Sequence, residues 1–228
     1  LATVTHEIRT PLTSIKALSE ILYDNDDIEH SERQHFLNTI IKESDRLQTL
    51  VDRLLAPHRK AHVIEAFNVH EALERVRSLV LAEFPKGLKI VRNYDTSLPD
   101  LMGDREQLIQ AVLNIVHNAA QALSEEISQG VAQIELKTRV ERSVTIAKKR
   151  YKLAMDLHVI DNGPGIPEEI IERIFFPLVS GREGGSGLGL TLAQTFVQQH
   201  QGFIACNSRP GRTDFHIQIP YRRQEKAS

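Results

Sequence analysis

KLAMDLHVIDNGPGIP, residues 152–167, decides the fold. An apolar run of strand character, LAMDLHVI, passes directly into DNGPGIP, where Gly163, Pro164, Gly165 and Pro167 prevent any regular element from continuing. Asp161 therefore stands at the end of a strand. A carboxylate there can accept the exocyclic N–H₂ of adenine, while Gly163 and Gly165 let the backbone come close to a base. As a turn alone the string says little, because Asp-Asn-Gly is a common turn composition; its meaning comes from what lies on either side.

Upstream, REQLIQAVLNIVHNAAQAL (105–123) reads as a long amphipathic helix. It carries Asn114 and Asn118 at i and i+4, on one face and able to serve one site. Asparagine carbonyls are neutral oxygen ligands suited to a Mg²⁺ that also binds phosphates; amides bonded to backbone are the alternative. Downstream, FFPLVSGREGGSGLGL (175–190) leads into a helix expected to begin near Leu190. Gly184, Gly185, Gly187 and Gly189, with Leu188 between the last two, can present backbone N–H groups beside a helix N-terminus, which together suit an anion such as a triphosphate. Arg182 is either a phosphate contact or a solvated charge. The segment is neither a Walker loop, lacking GK[ST], nor a GxGxxG fingerprint.

The rest of the second half alternates. EAFNV, LKIVRNY, VAQIELKTRV, KLAMDLHVID, GFIACNS and TDFHIQIP read as strands; HEALERVRSLVLAEF and LTLAQTFVQQH read as helices, the latter ending near Gly202. SVTIAKKR reads as a polar connection closing a hairpin between the third and fourth strands. This order implies a two-layer α/β sandwich with a mixed or antiparallel sheet over residues 64–222, followed by a polar tail, 223–228.

The first 56 residues differ in kind. Leu1, Val4, Ile8, Pro11, Ile15, Leu18 and Leu22 fall on a and d positions of a heptad, and Phe36, Ile40, Leu47, Leu50 and Leu54 mark a second helix that stops at Pro57. DNDDIEHS separates them, and PHRKAH lies in a basic linker, 57–63. Two helices bury little by themselves, so an antiparallel hairpin with this seam is expected to pair with a second copy as a dimeric four-helix bundle. The whole is α+β.

HEIRTPL (6–12) carries the chemistry of the first helix. With Val4 and Ile8 on the seam, His6 projects outward, and a neutral imidazole there can be a nucleophile near pH 7, a lone surface histidine being the alternative. Glu7 can hold the other ring N–H, and Thr10, one turn on, can orient a water. A zinc-protease helix would need HExxH, and position 10 is Thr.

Bulk properties exclude several classes. Twenty-eight Lys and Arg against 30 Asp and Glu give a net charge of -2, without the footprint of a nucleic-acid or anionic-membrane binder. No apolar run reaches membrane-spanning length, and LATVTHEIRT is not a signal peptide. One cysteine, Cys206, cannot form an internal disulfide; a reducing, cytoplasmic setting and a buried strand thiol are expected. The chain opens without Met inside a motif, as a fragment would.

HEIRTPL resembles the phosphoacceptor box of sensor histidine kinases. NIVHN, DNGPGIP and FFPLVSGREGGSGLGL, in that order, resemble the nucleotide boxes of their ATP-binding domain, whose fold is shared with Hsp90, MutL and DNA gyrase. The resemblance implies ATP-dependent phosphorylation of His6 assisted by Glu7, a reverse phosphatase activity served by Thr10, Mg-ATP held by Asn114 and Asn118 with the metal on Asn118, adenine read by Asp161, and Phe175 and Phe176 anchoring a glycine lid. It also implies a homodimer that passes phosphoryl groups to a response-regulator aspartate. VDRLLAP, LKIVRNYDTSLPDL and FPLVSGREGGSGLGL look like the nitrogen-regulation kinases of the NtrB type, which implies an NtrC-like regulator and a PII-type input. Those kinases normally carry Asn-Pro after the phosphoacceptor box where this chain has Thr10-Pro11, so residues up to about Leu50 and the remainder can be read as a hybrid of two subfamilies. Gln121 stands where many relatives have Lys or Arg.

Overall fold

The computed structural model describes residues 2–25, 28–55, 63–177, 179 and 187–221, and for 2–10, 45, 46 and 48–55 the helical backbone alone. The chain divides into two compact units, Leu1–His62 and Val63–Ser228.

The first unit is a helical hairpin of α1 (Ala2–Asp24) and α2 (His30–Leu55), which pack on each other. Pro11 lies inside α1 and is buried. Ile15, Leu18, Leu22, Phe36, Ile40 and Leu47 are only half-buried, and Leu12, Ile21, Leu37 and Ile41 are exposed. An apolar stripe left this open within one chain is what a bundle seam looks like before its partner is added.

In the second unit β1 (Glu65–Phe67) pairs antiparallel with β3 (Leu101–Gly103), setting Phe67 opposite Leu101, both buried. β2 (Leu88–Asn93), β4 (Ala132–Ile146), β5 (Lys149–Asp161), β6 (Phe203–Arg209) and β7 (Arg212–Pro220) form a mixed sheet in the order β2-β4-β5-β7-β6. Only β2 and β4 run parallel; the other pairs are antiparallel.

One face of this sheet carries α3 (Val69–Glu83), α4 (Arg105–Ala122) and α7 (Gly189–Gln199), with α4 packed against both of the others. Each helix buries one stripe. In α4 this is Leu108, Ile109, Ala111, Val112, Ile115, Val116, Ala119 and Ala120, at the spacing of a 3.6-residue repeat. Asn68 caps α3 by accepting the His70 N–H at 2.8 Å, and Asp104 caps α4 by accepting the Gln107 N–H at 3.1 Å. Two short helices, α5 (Ser124–Gln129) and α6 (Glu168–Ile171), are also present among the described residues. Met155, Leu157 and Val159 of β5 join Ile134, Leu136, Ile217 and Ile219 in the shared core, so the intervening Asp156, His158 and Ile160 face away from the helices.

The structure corrects the sequence reading in three places. SVTIAKKR is not a connection: β4 runs to Ile146, β5 starts at Lys149, and only Ala147 and Lys148, both with positive φ, make the turn. Two consecutive left-handed residues are the geometry of a tight hairpin loop. The apolar alternation fades there because residues 141–145 lie at the exposed end of the sheet, while the backbone ladder continues without it. EAFNV supplies a strand of only three residues, since Asn68 is taken as a helix cap and Val69 begins α3. Finally, β3 and the two short helices were not anticipated, being too brief to show a period. Among the described residues no helix is long and apolar enough to cross a membrane.

Gly202 joins α7 to β6, and a Cβ there would meet the Gln218 carbonyl oxygen at 2.4 Å and Val197 Cγ1 at 2.9 Å. Gly202→Ala should cost about 1–3 kcal/mol, as overpacking against backbone does, and lower the melting temperature by roughly 3–10 °C in a thermal scan.

Candidate nucleotide-binding site

The β5 ladder ends at Asp161, paired with Ile134 on one side and Thr213 on the other. Its position in the strand's alternation turns the carboxylate toward the helical layer, where it is 4 % exposed. A buried carboxylate is costly unless hydrogen-bonded. The Gly163 N–H donates to Asp161 Oδ1 at 2.9 Å, and Gly163 sits so close that a Cβ there would lie 2.9 Å from the same oxygen.

The turn after Asp161 is tied down from three sides. Asn162 accepts the Gln133 N–H at 2.7 Å and donates to the Val131 carbonyl at 2.9 Å, binding it to the start of β4. The Gly211 N–H donates to the Gly163 carbonyl at 2.8 Å, and the Ile166 N–H donates to Ser208 Oγ at 2.8 Å. Gly165 has φ +90°, and a side chain there would strike the Arg209 backbone.

Above this floor opens a cavity of about 970 Å³. Its walls come from α4 (Leu113, Asn114, His117, Asn118), the turn and α6 (Gly165, Ile166, Ile170), and the start of α7 (Gly187, Gly189, Leu190). Ile174 and Phe215 add apolar surface, and Thr213 a hydroxyl. One buried carboxylate beside the apolar side chains of Leu113, Ile166, Ile170 and Ile174 suits a flat heterocycle with an N–H₂ edge. The N-terminus of α7, without a side-chain cap, brings the positive end of its dipole to the other side.

The sequence-derived residues fare differently. Asn118 and Asp161 line the cavity together with Gly165, Gly187 and Gly189; Gly163 packs beneath Asp161, and Leu188 is the cap residue of α7. The helix starts at Gly189, one residue before the expected position. Asn114 also lines the cavity, but its amide donates to the Gly189 carbonyl at 3.1 Å and its oxygen accepts from Gln110 at 3.1 Å. In this state it ties α4 to the head of α7, which is the backbone-bonded alternative. Phe175 packs edge-on against Phe215 at 6.4 Å and its carbonyl accepts from Thr191 Oγ1 at 3.1 Å, whereas Phe176 is 57 % exposed. Arg182, Gly184 and Gly185 lie outside the described residues. His6, Glu7 and Thr10 fall on α1, in the stretch described as backbone alone.

Several lining residues were not anticipated. His117, whose Nε2 meets Glu83 Oε1 at 2.9 Å, projects from α4 between the two asparagines, and the NIVHN string contained that signal. Glu83, Thr213 and Phe215 come from other elements and carried none. Cys206 is a partly buried strand residue as expected; burial, then the nearby carboxylates of Asp161 and Asp214, push its thiol up to about 12, leaving it unreactive near neutral pH.

Comparison with known proteins matches this architecture. The family described as "Histidine kinase-, DNA gyrase B-, and HSP90-like ATPase" fits residues 103–223, and the "His Kinase A (phospho-acceptor) domain" fits residues 1–62. The chain is 43 % identical over 219 residues to the sensory histidine kinase/phosphatase NtrB of Klebsiella oxytoca and 42 % identical over 218 residues to that of Vibrio alginolyticus. The NtrB of Rhodobacter capsulatus is 34 % identical over 227 residues. These alignments take in 96 % of this chain and 60–61 % of each relative's length. Among solved structures, the mycobacterial sensor histidine kinase MprB covers 70 % of this chain and 99 % of its own at TM-score 0.57 and 23 % identity. The histidine kinase ThkA, solved in complex with response regulator protein TrrA, covers 99 % of this chain and 62 % of its own at TM-score 0.58 and 24 % identity. A cavity floored by Asp161 and a family match over more than half of the chain together place the chain among the histidine kinase-, DNA gyrase B- and HSP90-like ATPases.

Proposed function

We propose that the chain is the catalytic core of a two-component histidine kinase, which transfers the γ-phosphoryl of ATP to His6 and passes it on to an aspartate of a response regulator. The observation that carries this reading is the buried Asp161 carboxylate on the floor of a cavity of about 970 Å³, whose opposite side is the N-terminus of α7.

Asp161 accepts the adenine N–H₂ while the apolar side chains of Leu113, Ile166, Ile170 and Ile174 cover the ring. Gly163 and Gly165 keep side chains out of its way. The α7 N-terminus, with Gly187, Leu188 and Gly189, offers backbone N–H groups and positive potential to the phosphates; Gly185 and Arg182 belong to the same loop. Asn118 faces the cavity with an amide oxygen suited to Mg²⁺, and such an ion would neutralise charge as the phosphoryl leaves. Asn114 helps hold that corner by fixing the head of α7. On α1, a ring nitrogen of His6 attacks the γ-phosphorus, the bond from that phosphorus to the bridging oxygen breaks, and the diphosphate leaves. Glu7 holds the opposite ring N–H through the step.

The relatives are named kinase/phosphatase, and Thr10 supports the second half of that name for this chain as well. Its hydroxyl would orient a water for in-line attack on the regulator's phosphoaspartate. The half-open seam of the hairpin supports a homodimer through α1 and α2. Within the NtrB type the regulator is NtrC-like, the input a PII-type protein and the setting the cytoplasm. Residues 1–56 act as the dimerisation and phosphotransfer domain, 57–63 as linker and 64–222 as the ATP-binding domain, with 223–228 as a polar tail.

Four outcomes test this reading. Asp161→Asn should weaken ATP binding about 10- to 100-fold in calorimetry, the loss of one charge-assisted hydrogen bond in a buried site, with the fold retained. Incubation with γ-labelled ATP and Mg²⁺ should yield acid-labile label that His6→Gln abolishes while ATP binding persists. In the same assays, Thr10→Ala should keep the label and lose dephosphorylation of a phosphorylated regulator; label surviving His6→Gln would overturn the assignment. Light scattering should give a dimer mass for the chain and a monomer mass for residues 64–228.

A further inference from the structure

The face of β5 turned away from Asp161 carries a cluster that the nucleotide chemistry does not use. Asp156 and His158 lie two residues apart on β5, and His216 is the direct cross-strand partner of His158 on β7. Asp156 Oδ2 is 3.1 Å from His158 Nε2, and its other oxygen, Oδ1, contacts His216 Nε2. The two imidazoles stack 4.5 Å apart with their planes 3° from parallel, so both Nε2 atoms point at one carboxylate. On the far side of His158, Asp214 Oδ1 meets Nδ1 at 2.8 Å, while Arg212 holds the other oxygen of Asp214 at 3.0 Å. All four side chains of this core are between 9 and 23 % exposed, sheltered yet reachable from solvent.

We propose that Asp156, His158 and His216 form a binding site for a divalent transition metal, with Zn²⁺ the expected ion. Their donor atoms lie within 4.8 Å of one another, close enough for one ion to reach all three with small side-chain rotations at bonds of about 2.0–2.2 Å. Two imidazoles and one carboxylate select zinc, copper or nickel over magnesium, which takes oxygen ligands, so this ion is distinct in kind from one bound with nucleotide. Three protein ligands leave a fourth position to water. Asp214 supplies the carboxylate that metal-bound histidines characteristically have behind them: with Nδ1–H donated to Asp214, the lone pair of His158 is fixed at Nε2, facing Asp156.

Without metal, the same contacts require His158 to carry protons on both nitrogens between two carboxylates. Its hydrogen bond to Asp156 accordingly raises the imidazole above its ordinary range. Burial opposes ionisation of Asp156, but its bonds to His158 and His216 outweigh that and hold the carboxyl below the usual range. A metal ion replaces this proton network. It would bridge β5 to β7 across the His158–His216 pair, five or fewer residues from Asp161, and so stiffen the strand on which the adenine carboxylate stands.

The test is competition for Zn²⁺ against a chromophoric chelator, using the metal-stripped 228-residue chain. His158→Gln and His216→Gln should each lose one equivalent of bound Zn²⁺ relative to the unsubstituted chain. Asp214→Asn should keep the equivalent but bind it about 10- to 100-fold more weakly. Zn²⁺ at about a hundredfold over its Kd should also raise the melting temperature of the ATP-binding unit by roughly 5–10 °C, and this rise should vanish in both histidine variants. Circular dichroism and ATP binding, which involve the other face of the sheet, report whether the variants are folded. Equal Zn²⁺ uptake by all four chains, or no thermal shift in the unsubstituted chain, would overturn the site and leave an imidazolium–carboxylate network.

Discussion

Placing a carboxylate inside a protein is unfavourable unless hydrogen bonds replace its water, and the second unit is organised around that constraint at Asp161. The strand must stop there, so that backbone N–H groups of the following turn are free to reach the carboxylate. The turn must then be held rigidly, which Asn162, Gly211 and Ser208 do from three directions. Glycine at 163 and 165 follows from the same requirement, since a Cβ at either would collide with the carboxylate or with the Arg209 backbone. The cavity exists because this floor cannot be filled by the turn's own side chains.

The two-residue period of β5 then separates two chemistries on one strand. Odd positions, Met155, Leu157, Val159 and Asp161, face the helices; even positions, Asp156 and His158, face the opposite way. A shift of one residue in register would exchange them. The long antiparallel pairings with β4 and β7 oppose such a slip, because Met155, Leu157 and Val159 would leave the core and Asp156 and His158 would enter it.

The helical hairpin obeys a different rule. Its residues satisfy a heptad, yet among the described side chains Pro11 alone is buried, and Ile15, Leu18, Leu22, Phe36, Ile40 and Leu47 are half-buried in one chain. The second unit closes its core within itself. That contrast underlies the proposal that dimerisation falls to the hairpin and nucleotide binding to the sandwich: the described stripe of the first stays open in a single chain, and the core of the second packs within it.

Local chemistry was legible from the residues alone. The apolar strand that ends at Asp161, the one-sided helix bearing Asn114 and Asn118, the glycine string before α7 and the hairpin heptads all depend on neighbours within a turn or two, and periodicity records them. What came only from tertiary structure depends on register between distant segments. Nothing in NIVHN says that Asn114 will bond Gly189 rather than face the cavity unengaged; that follows from α4 lying beside α7. The length of β4 and β5 past the core was hidden because exposed strand ends lose their apolar alternation while keeping their hydrogen bonds. Likewise MDLHVI and DFHIQI each hold an ordinary histidine. Only the antiparallel pairing of β5 with β7 stacks the two rings and aims both at Asp156, because side chains far apart in sequence meet only when strand register places them opposite one another.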